Sequence, residues 1–342
     1  LIKEISLTEA NYNGNWQFDT IFFGGGTPSL LQPKQIEKIL HALENSYDIS
    51  QVKEITMEAN PGEAPKEKLA DFYTLGINRL SIGFQSLEQS LLTFLSRIHT
   101  PKDCLNTYHN ARDVGFNNIN IDMLFNIPNQ SPKIWENNLK QVIALDPDHM
   151  SCYSLTVEPN TLLHNKVFNG TITMPTEEID STMFEFGQQY LSTKKYIQYE
   201  ISNYAKKNKE CQHNLHYWNL EPYLAFGPSA HGYNGTKRWW NTPSLEKYIQ
   251  KLKNKKSPII GSEILSQKDQ YNEIIFNGLR TRSGIPLQKI NENKLHFFKP
   301  NYIYKKWGKY LEITNDYIRL NLNQYKYADE IASDLMLIDY KK

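Results

Sequence analysis

Short apolar stretches that end in polar residues recur along the first 205 residues, and amphipathic helical patterns separate them. This alternation is typical of a parallel βα barrel, which builds its site from polar residues at the carboxyl ends of its strands. We expect an α/β fold with a partial (β/α)6, TIM-like barrel rather than a full eight-stranded one, and an open doubly wound sheet is the competing architecture. The predicted strands are 20–23, 53–58, 78–85, 117–124, 149–157 and 196–202.

Capping patterns mark the ends of several predicted helices. One helix begins at Pro65 and stops at Gly76, the usual placement of proline and glycine. Thr100 with Asp103 predicts a capping box, and Thr176 is the expected N-cap of a later helix.

The rhythm changes after residue 205. Residues 211–241 are rich in His, Trp, Tyr and Gly and have no clear period, and a helix is expected over 243–254. Further on, helices and a hairpin over 310–320 resemble a small winged-helix-like domain. We therefore divide the chain into a barrel, a connecting region and a small C-terminal domain, at 1–205, 206–260 and 261–342.

Charge and composition exclude some classes of protein. Lys and Arg number 38 against 37 Asp and Glu, so the charge gives no case for nucleic acid as a partner. No apolar run approaches the roughly 20 residues that span a bilayer. The three cysteines are far apart and lack metal-ligand spacing, as expected of reduced thiols in a cytoplasmic protein. Residue 1 is Leu within an apparent helix, so we expect the true N-terminus to be missing.

A glycine-rich loop, Gly24–Pro28, follows the first predicted strand directly. It is neither the dinucleotide pattern, which spreads its glycines over six residues, nor a phosphate loop, which needs a following Lys. Its exposed backbone groups could hold a small zwitterion such as an amino acid moiety, and a tight turn is the alternative.

Polar residues close the next strands. Glu58, Gln85 and Asp122 each end a predicted strand, and Arg97 follows Gln85 by one helix and could reach a carboxylate. Each alone is more often an exposed polar residue. Together with the glycine loop they predict a site for ammonium, hydroxyl and carboxylate groups.

The segment His213–Trp218 places two imidazoles, two aromatic rings and an amide within six residues. An imidazole beside flat aromatic surface suits a planar macrocycle that carries iron. A polar loop that packs on the barrel is the alternative. His231 is a second candidate for the same cavity.

These motifs occur in a familiar order: GlyGlyGlyThrPro, GluAlaAsnPro, GlyPheGln, IleAsnIleAsp, HisAsnXaaXaaTyrTrp and GlyProSerAlaHisGly. Over almost the whole chain, this order resembles the radical S-adenosylmethionine (SAM) proteins related to oxygen-independent coproporphyrinogen III oxidase. The HisAsnXaaXaaTyrTrp motif is similar to that of the haem chaperones in this group. The resemblance implies a radical SAM barrel, a [4Fe–4S] cluster, S-adenosyl-L-methionine and haem.

The resemblance also implies roles for single residues. Gly25, Gly26 and Thr27 would bind the methionine end of SAM, and His213 would ligate haem. The amino, carboxylate and ribose groups of SAM would be bound by Glu58, Gln85, Arg97 and Asp122. Thr156 and His231 fall where the family contacts adenosine.

Two departures from the family matter. The three cysteines that hold its cluster precede the first glycine loop, and none of Cys104, Cys152 or Cys211 can replace them. This chain therefore offers no metal ligand, and we expect the cluster cysteines upstream of Leu1. The usual GlyLeuPro is replaced by Asn126–Pro128, which removes no proposed ligand.

The resemblance implies a cytoplasmic haem chaperone that hands haem to apoproteins such as respiratory enzymes, with peripheral contact to membrane proteins but no membrane segment. One alternative is an oxidase that decarboxylates coproporphyrinogen III through a 5′-deoxyadenosyl radical. Another is a non-catalytic barrel whose small domain docks on a partner.

Overall fold

The computed structural model describes residues 1–9, 16–292 and 300–337, which group into two compact units. One, here called the sheet unit, comprises residues 21–33 and 54–210. The other, here called the helical unit, comprises 1–20, 34–53 and 211–342 within the described ranges. The division of the chain at residues 205 and 260 stays a prediction.

The strands begin with five that follow the predicted order. They are β1 (Thr20–Phe23), β2 (Glu54–Ala59), β3 (Arg79–Gln85), β4 (Ile119–Phe125), β5 (His149–Ser154), β6 (Ile197–Gln198), β7 (Asn203–Ala205), β8 (His231–Tyr233), β9 (Lys237–Asn241), β10 (Ile259–Ile264), β11 (Ile285–Pro286), β12 (Leu311–Ile313) and β13 (Tyr317–Leu320).

Helices separate these strands. They are α1 (Ile2–Glu9), α2 (Pro33–Ser46), α3 (Lys66–Thr74), α4 (Gln89–Phe94), α5 (Pro101–Val114), α6 (Pro132–Ala144), α7 (Leu162–Phe168), α8 (Glu177–Thr193), α9 (Gln212–Trp218), α10 (Leu245–Lys253), α11 (Gln267–Gly278), α12 (Leu287–Glu292), α13 (Pro300–Trp307) and α14 (Ala328–Leu335). Short 3-10 helices lie at Pro28–Leu30 and Tyr325–Tyr327.

A seven-stranded sheet in the order β1-β2-β3-β4-β5-β7-β6 forms the centre of the sheet unit. Neighbours from β2 to β5 pair in parallel, as the βα repetition requires. The predicted α/β fold with a parallel sheet, characteristic of the partial barrel, is confirmed, and a small C-terminal sheet is present.

The sixth strand differs from the prediction. The expected strand over 196–202 is reduced to the two residues of β6. The neighbour of β5 is instead β7, which runs antiparallel to it. A tight return over residues 199–202 places β7 between β5 and β6. The alternating apolar pattern of the segment does not encode this return.

The capping patterns correspond to observed helix ends. Thr100 and Asp103 form a reciprocal capping box at α5, and the Thr176 side chain accepts a hydrogen bond from the Ile179 N–H at the start of α8. Helix α3 begins after Pro65. Each cap gives a partner to a backbone N–H that the helix itself leaves unsatisfied.

The helical unit contains two three-stranded sheets, β10-β9-β8 and β11-β13-β12. The predicted hairpin is β12–β13, with Ile313 opposite Ile318. Strands β8 to β11 were not predicted. The sequence also predicts a last helix over residues 327–338. The structure has α14 there, which ends at Leu335, and residue 338 lies outside the described residues. Within the described ranges, no helix is both long and apolar enough to cross a membrane.

Candidate functional site

The glycine loop after β1 contacts the end of β2. The backbone N–H of Gly25 donates a hydrogen bond to Glu58 Oε2 at 2.9 Å. Gly25 and Gly26 have φ angles of 77° and 65°, and a Cβ added to either would find no atom within 4 Å. The loop therefore combines a left-handed backbone with open space beside it, which lets a ligand approach the main chain.

Asn60, two residues beyond Glu58, holds the far side of this loop. Its Nδ2 donates to Thr27 Oγ1 at 3.1 Å and to Glu63 Oε1 at 3.2 Å. Thr27 thus belongs to the same local structure as Glu58, in agreement with their expected proximity at the strand ends.

Polar side chains form a row across one face of the sheet. Glu58 is the register partner of Ser81, Ser81 of Asn120, and Asn120 of His149. Side chains alternate between faces along a strand, so register partners in neighbouring strands point to the same face. Of this row, only Glu58 was predicted from the sequence as a site residue.

Asp122 lies in the middle of β4 rather than at its end, because β4 continues to Phe125. Its carboxylate accepts hydrogen bonds from two members of the polar row: Ser81 Oγ reaches Oδ2 at 3.0 Å, and Asn120 Nδ2 reaches Oδ1 at 2.8 Å. Burial raises the pKa of Asp122, and hydrogen bonds from Ser151, Asn120 and Ser81 act against that rise.

Glu58 and Asp122 are close enough to interact electrostatically. Burial raises the pKa of Glu58, and the charge of Asp122 raises it further, whereas the hydrogen bond from Gly25 lowers it. Two carboxylates that disfavour each other's ionised form make a suitable environment for a cationic or hydroxyl-bearing ligand.

Gln85 ends β3 in a left-handed conformation, with φ 66°, after a register shift between Gly83 and Gln85. Its side chain lies over Gly83, where an added Cβ would be 2.8 Å from Gln85 Nε2. His99 supports this turn, since its Nε2 lies 3.2 Å from the carbonyl oxygen of Phe84. The charge of Arg97 contributes to lowering the pKa of His99, after burial as the larger cause, which places Arg97 near this turn.

The two residues expected near adenosine lie in different units. Thr156 is exposed two residues after β5, and its Oγ1 donates to Glu158 Oε1 at 3.2 Å. His231 is the first residue of β8 in the helical unit, and its exposed ring stacks on Trp240 with centroids 6.0 Å apart. Their common role stays a prediction.

His213 lies on α9 and has a hydrogen-bond partner at each ring nitrogen. Nδ1 is 2.9 Å from Thr20 Oγ1, and Nε2 is 2.9 Å from the hydroxyl of Tyr217, one helical turn away. The Tyr217 ring packs edge-on against Tyr223, with centroids 4.6 Å apart. The imidazole is therefore held in place, and its bond to Tyr217 is exposed to solvent.

His216 occupies a different environment on the same helix. Its Nε2 lies 2.9 Å from Asp19 Oδ1, and its Nδ1 is hydrogen-bonded to Glu221. Because carboxylates hold both of its nitrogens, His216 is less suited than His213 to exchange a partner for a metal-bearing ligand.

The cysteines provide no cluster site. All three thiols are buried, and burial raises the pKa of the Cys104 thiol to about 12. Cluster ligands are thiolates, which such burial disfavours. In the described part of the chain, no group of three or more His, Cys, Asp or Glu residues could hold a metal ion.

Glu200 is a buried carboxyl group that the sequence analysis did not identify as a site residue. It is 1% exposed, and its Oε1 has no hydrogen-bond partner among the described residues. Its Oε2 accepts from the Ser202 N–H at 3.2 Å. Burial raises its pKa to about 7. The strand predicted over 196–202 ends in polar residues, but that pattern could not show that the Glu200 carboxyl is enclosed.

Known proteins resemble this chain in sequence and in structure. The family pattern described as the Radical SAM superfamily matches residues 4–142. The haem chaperone HemW of Bacillus subtilis is 37% identical over 283 residues, which cover 82% of this chain and 74% of that protein. HemW of Lactococcus lactis is 33% identical, over 80% of this chain and 72% of that protein.

A solved structure shows the same fold. Coproporphyrinogen III oxidase (HemN) of Escherichia coli, described as a radical SAM enzyme, has a TM-score of 0.81 at 18% identity and covers 98% of this chain and 81% of its own. At that identity the likeness concerns the fold alone. The extent of the identity with the HemW proteins, together with the family pattern, shows that this chain belongs to the radical SAM family, in the group that contains HemW.

Proposed function

We propose that this protein is a haem chaperone: it binds haem at α9, binds SAM in the sheet unit, and transfers haem to apoproteins such as respiratory enzymes. The observation that carries the proposal is His213, which lies in the HisAsnXaaXaaTyrTrp motif with both ring nitrogens fixed by hydrogen bonds. The relatives named as haem chaperones support it.

The geometry at His213 suits iron ligation. If Nδ1–H donates to Thr20 Oγ1, Nε2 keeps its lone pair and accepts from the Tyr217 hydroxyl. A neutral imidazole with its second nitrogen engaged as a donor is the usual state of a metal-ligating histidine. Haem would displace one exposed hydroxyl from Nε2, and Thr20 would keep the ring oriented.

The residues of the sheet unit fit SAM. Glu58, a carboxylate whose pKa is raised by burial and by the charge of Asp122, would gain from a neighbouring ammonium group. Asp122 would accept from ribose hydroxyls, and Arg97 would bind a carboxylate. The open space at Gly25 and Gly26 would admit the methionine end beside the backbone.

In this family the bound cofactor SAM carries a sulfonium group, and the reductive cleavage of that group is the cofactor's own chemistry. The family implies a [4Fe–4S] cluster as well, but the buried cysteines of this chain do not fit it. The proposed function therefore assigns no role to a cluster held by this chain. In the proposal, the residues described above bind and orient SAM and haem.

Haem titration of single variants tests the proposal. His213→Ala should weaken haem binding and change the Soret spectrum, because it removes the ligand. His216→Ala is the matched control on the same helix and should have a smaller effect. SAM affinity should be unchanged in both variants. A haem spectrum and affinity that His213→Ala leaves intact, in a folded protein, would contradict the proposal and favour the oxidase alternative.

A further inference from the structure

A continuous chain of hydrogen bonds runs through the sheet unit from Tyr199 to Asp122. The Tyr199 hydroxyl lies 2.7 Å from His149 Nε2, and His149 Nδ1 lies 2.6 Å from Asn120 Oδ1. Asn120 Nδ2 in turn donates to Asp122 Oδ1 at 2.8 Å and to Ser81 Oγ at 2.7 Å. His149 is 1% exposed and Asn120 is 2% exposed, so the hydrogen bond between these two residues lies away from water.

The direction of each hydrogen bond in this chain is fixed. Asn120 must present its amide nitrogen to Asp122, since its oxygen would meet a carboxylate there. Its oxygen then faces His149, so Nδ1 of the imidazole carries the proton. Burial lowers the pKa of His149 well below its ordinary value, so the ring is neutral and Nε2 accepts from Tyr199.

We infer that His149 and Tyr199 are positioning residues for Asp122: through Asn120 they fix the orientation of the carboxylate that would receive the ribose hydroxyls of SAM. The inference rests on the proposed role of Asp122. Every donor in the chain points towards that carboxylate. The orientation of the Asp122 oxygens that would accept from a ligand is thus determined by His149, on β5, and by Tyr199, just after β6.

The proposed role of His149 is clearest from the expected effect of removing its imidazole. Without the imidazole, Asn120 Oδ1 would keep Ser151 Oγ as a donor at 3.2 Å. The amide would then lose the partner that fixes its plane, and its hydrogen bond to Asp122, one of three that this carboxylate accepts with those from Ser81 and Ser151, would be less well oriented. The carboxylate would be held mainly by the two serines, and the orientation of its oxygens towards a ligand would be less well defined.

A double-mutant cycle tests the inference, with S-adenosylhomocysteine as the probe because it carries the same nucleoside. His149→Leu should weaken binding about tenfold, the equivalent of one hydrogen bond that no longer orients its acceptor. In the D122N background the same substitution should have almost no effect. A residue with a merely structural role would cause equal losses in both backgrounds, and that outcome would overturn the inference.

Tyr199→Phe provides a milder second variant that does not depend on the stability of His149→Leu. It should weaken binding of the probe about threefold by releasing the imidazole. Tyr196→Phe is its control, because Tyr196 donates a buried hydrogen bond to the carbonyl oxygen of Pro147 at 2.5 Å and has no part in the chain. Equal effects of the two substitutions would contradict the inference.

The outcomes also separate this inference from the proposed function. If the wild-type protein does not bind S-adenosylhomocysteine, the proposed SAM site is wrong and the inference is overturned with it. If the wild type binds and D122N weakens binding while His149→Leu and Tyr199→Phe do not, the site stands and only the positioning role is wrong. Thermal unfolding of each variant confirms that the compared proteins are folded.

Discussion

Two histidines in this protein have similar partners but different surroundings. His149 and His213 each engage a tyrosine hydroxyl through Nε2, at 2.7 Å and 2.9 Å, and another polar group through Nδ1. His149 is buried among polar side chains of the sheet unit, whereas the bond from His213 to its tyrosine is exposed. The same hydrogen-bond pattern therefore suits the orientation of a neighbouring side chain at His149 and exchange with a ligand at His213.

The difference has an energetic origin. A buried hydrogen bond cannot be exchanged for one with water, so breaking it leaves both partners unsatisfied. An exposed hydrogen bond can be replaced by one to water or to a ligand at a small net cost in free energy. In our proposals the surroundings, rather than the partners, distinguish the histidine that positions a neighbour from the one that binds iron.

The largest expected effect concerns stability. His149→Leu should lower the free energy of unfolding by about 4 kcal/mol, because it leaves the Asn120 oxygen and the Tyr199 hydroxyl with fewer partners in a buried place. His213→Ala should cost less than about 1 kcal/mol. Urea denaturation measures both. Similar losses for the two variants would refute the contrast between the buried and the exposed histidine.

A second prediction concerns Glu200 and pH. Its pKa is about 7 in the folded protein and near 4.5 when unfolded, so between these values the folded state binds the extra proton. Stability should therefore fall as pH rises through this window, by at most about 3 kcal/mol, and stay at the lower level above it. Glu200→Gln should remove this decline and be more stable than the wild type above pH about 8.

Urea midpoints of the two proteins across this pH range provide the measurement. Because other groups titrate as well, the difference between the variant and the wild type is the relevant quantity. A difference that does not change with pH would show that the Glu200 carboxyl is not protonated preferentially in the folded state. A partly exposed control, Glu136→Gln, should leave the pH profile unchanged except near the acid end, since the pKa of Glu136 is lowered by Lys140 and Lys133.

The third prediction sharpens the comparison at the exposed histidine. Tyr217→Phe removes the hydroxyl that occupies Nε2 of His213 while it keeps the aromatic ring. Haem should then bind about fivefold more tightly, because no hydrogen bond of about 1 kcal/mol has to be displaced. Spectroscopic titration with haem measures the change. Weaker binding instead would mean that the hydroxyl itself contacts the bound haem.

The features that could be predicted from the sequence are those encoded by short, recurring patterns along the chain. Short apolar stretches and helix caps located β2 to β5 and the start of α5, and the polar residues that follow the strands then placed Glu58 near the glycine loop and Asp122. Strands β2 to β5 all run in the same direction, and their order along the chain is also their order in the sheet.

The buried chain of hydrogen bonds from Tyr199 to Asp122 could not be predicted in the same way. His149 is 29 residues from Asn120 and 50 from Tyr199, so their contacts depend on register between strands and on a tight return that no local pattern specifies. One indication was present: polar residues at alternate positions of otherwise apolar strands, as in Asn120 with Asp122 and His149 with Ser151. Such positions share one face of a sheet.

The smallest expected effect tests whether fine positioning matters in the sheet unit. Gly83→Ala would place a Cβ 2.8 Å from Gln85 Nε2, and the flexible amide would move aside without a large loss of stability. If Gln85 contacts the ligand, affinity for S-adenosylhomocysteine should fall about threefold, since a displaced amide loses part of one hydrogen bond. Gly187→Ala is the control, because its Cβ would make only ordinary contacts, 3.6 Å from the ring of Trp135. Calorimetric titration of both variants gives the answer: an unchanged affinity for Gly83→Ala would remove Gln85 from the proposed site and leave Glu58 and Asp122 to hold the ligand.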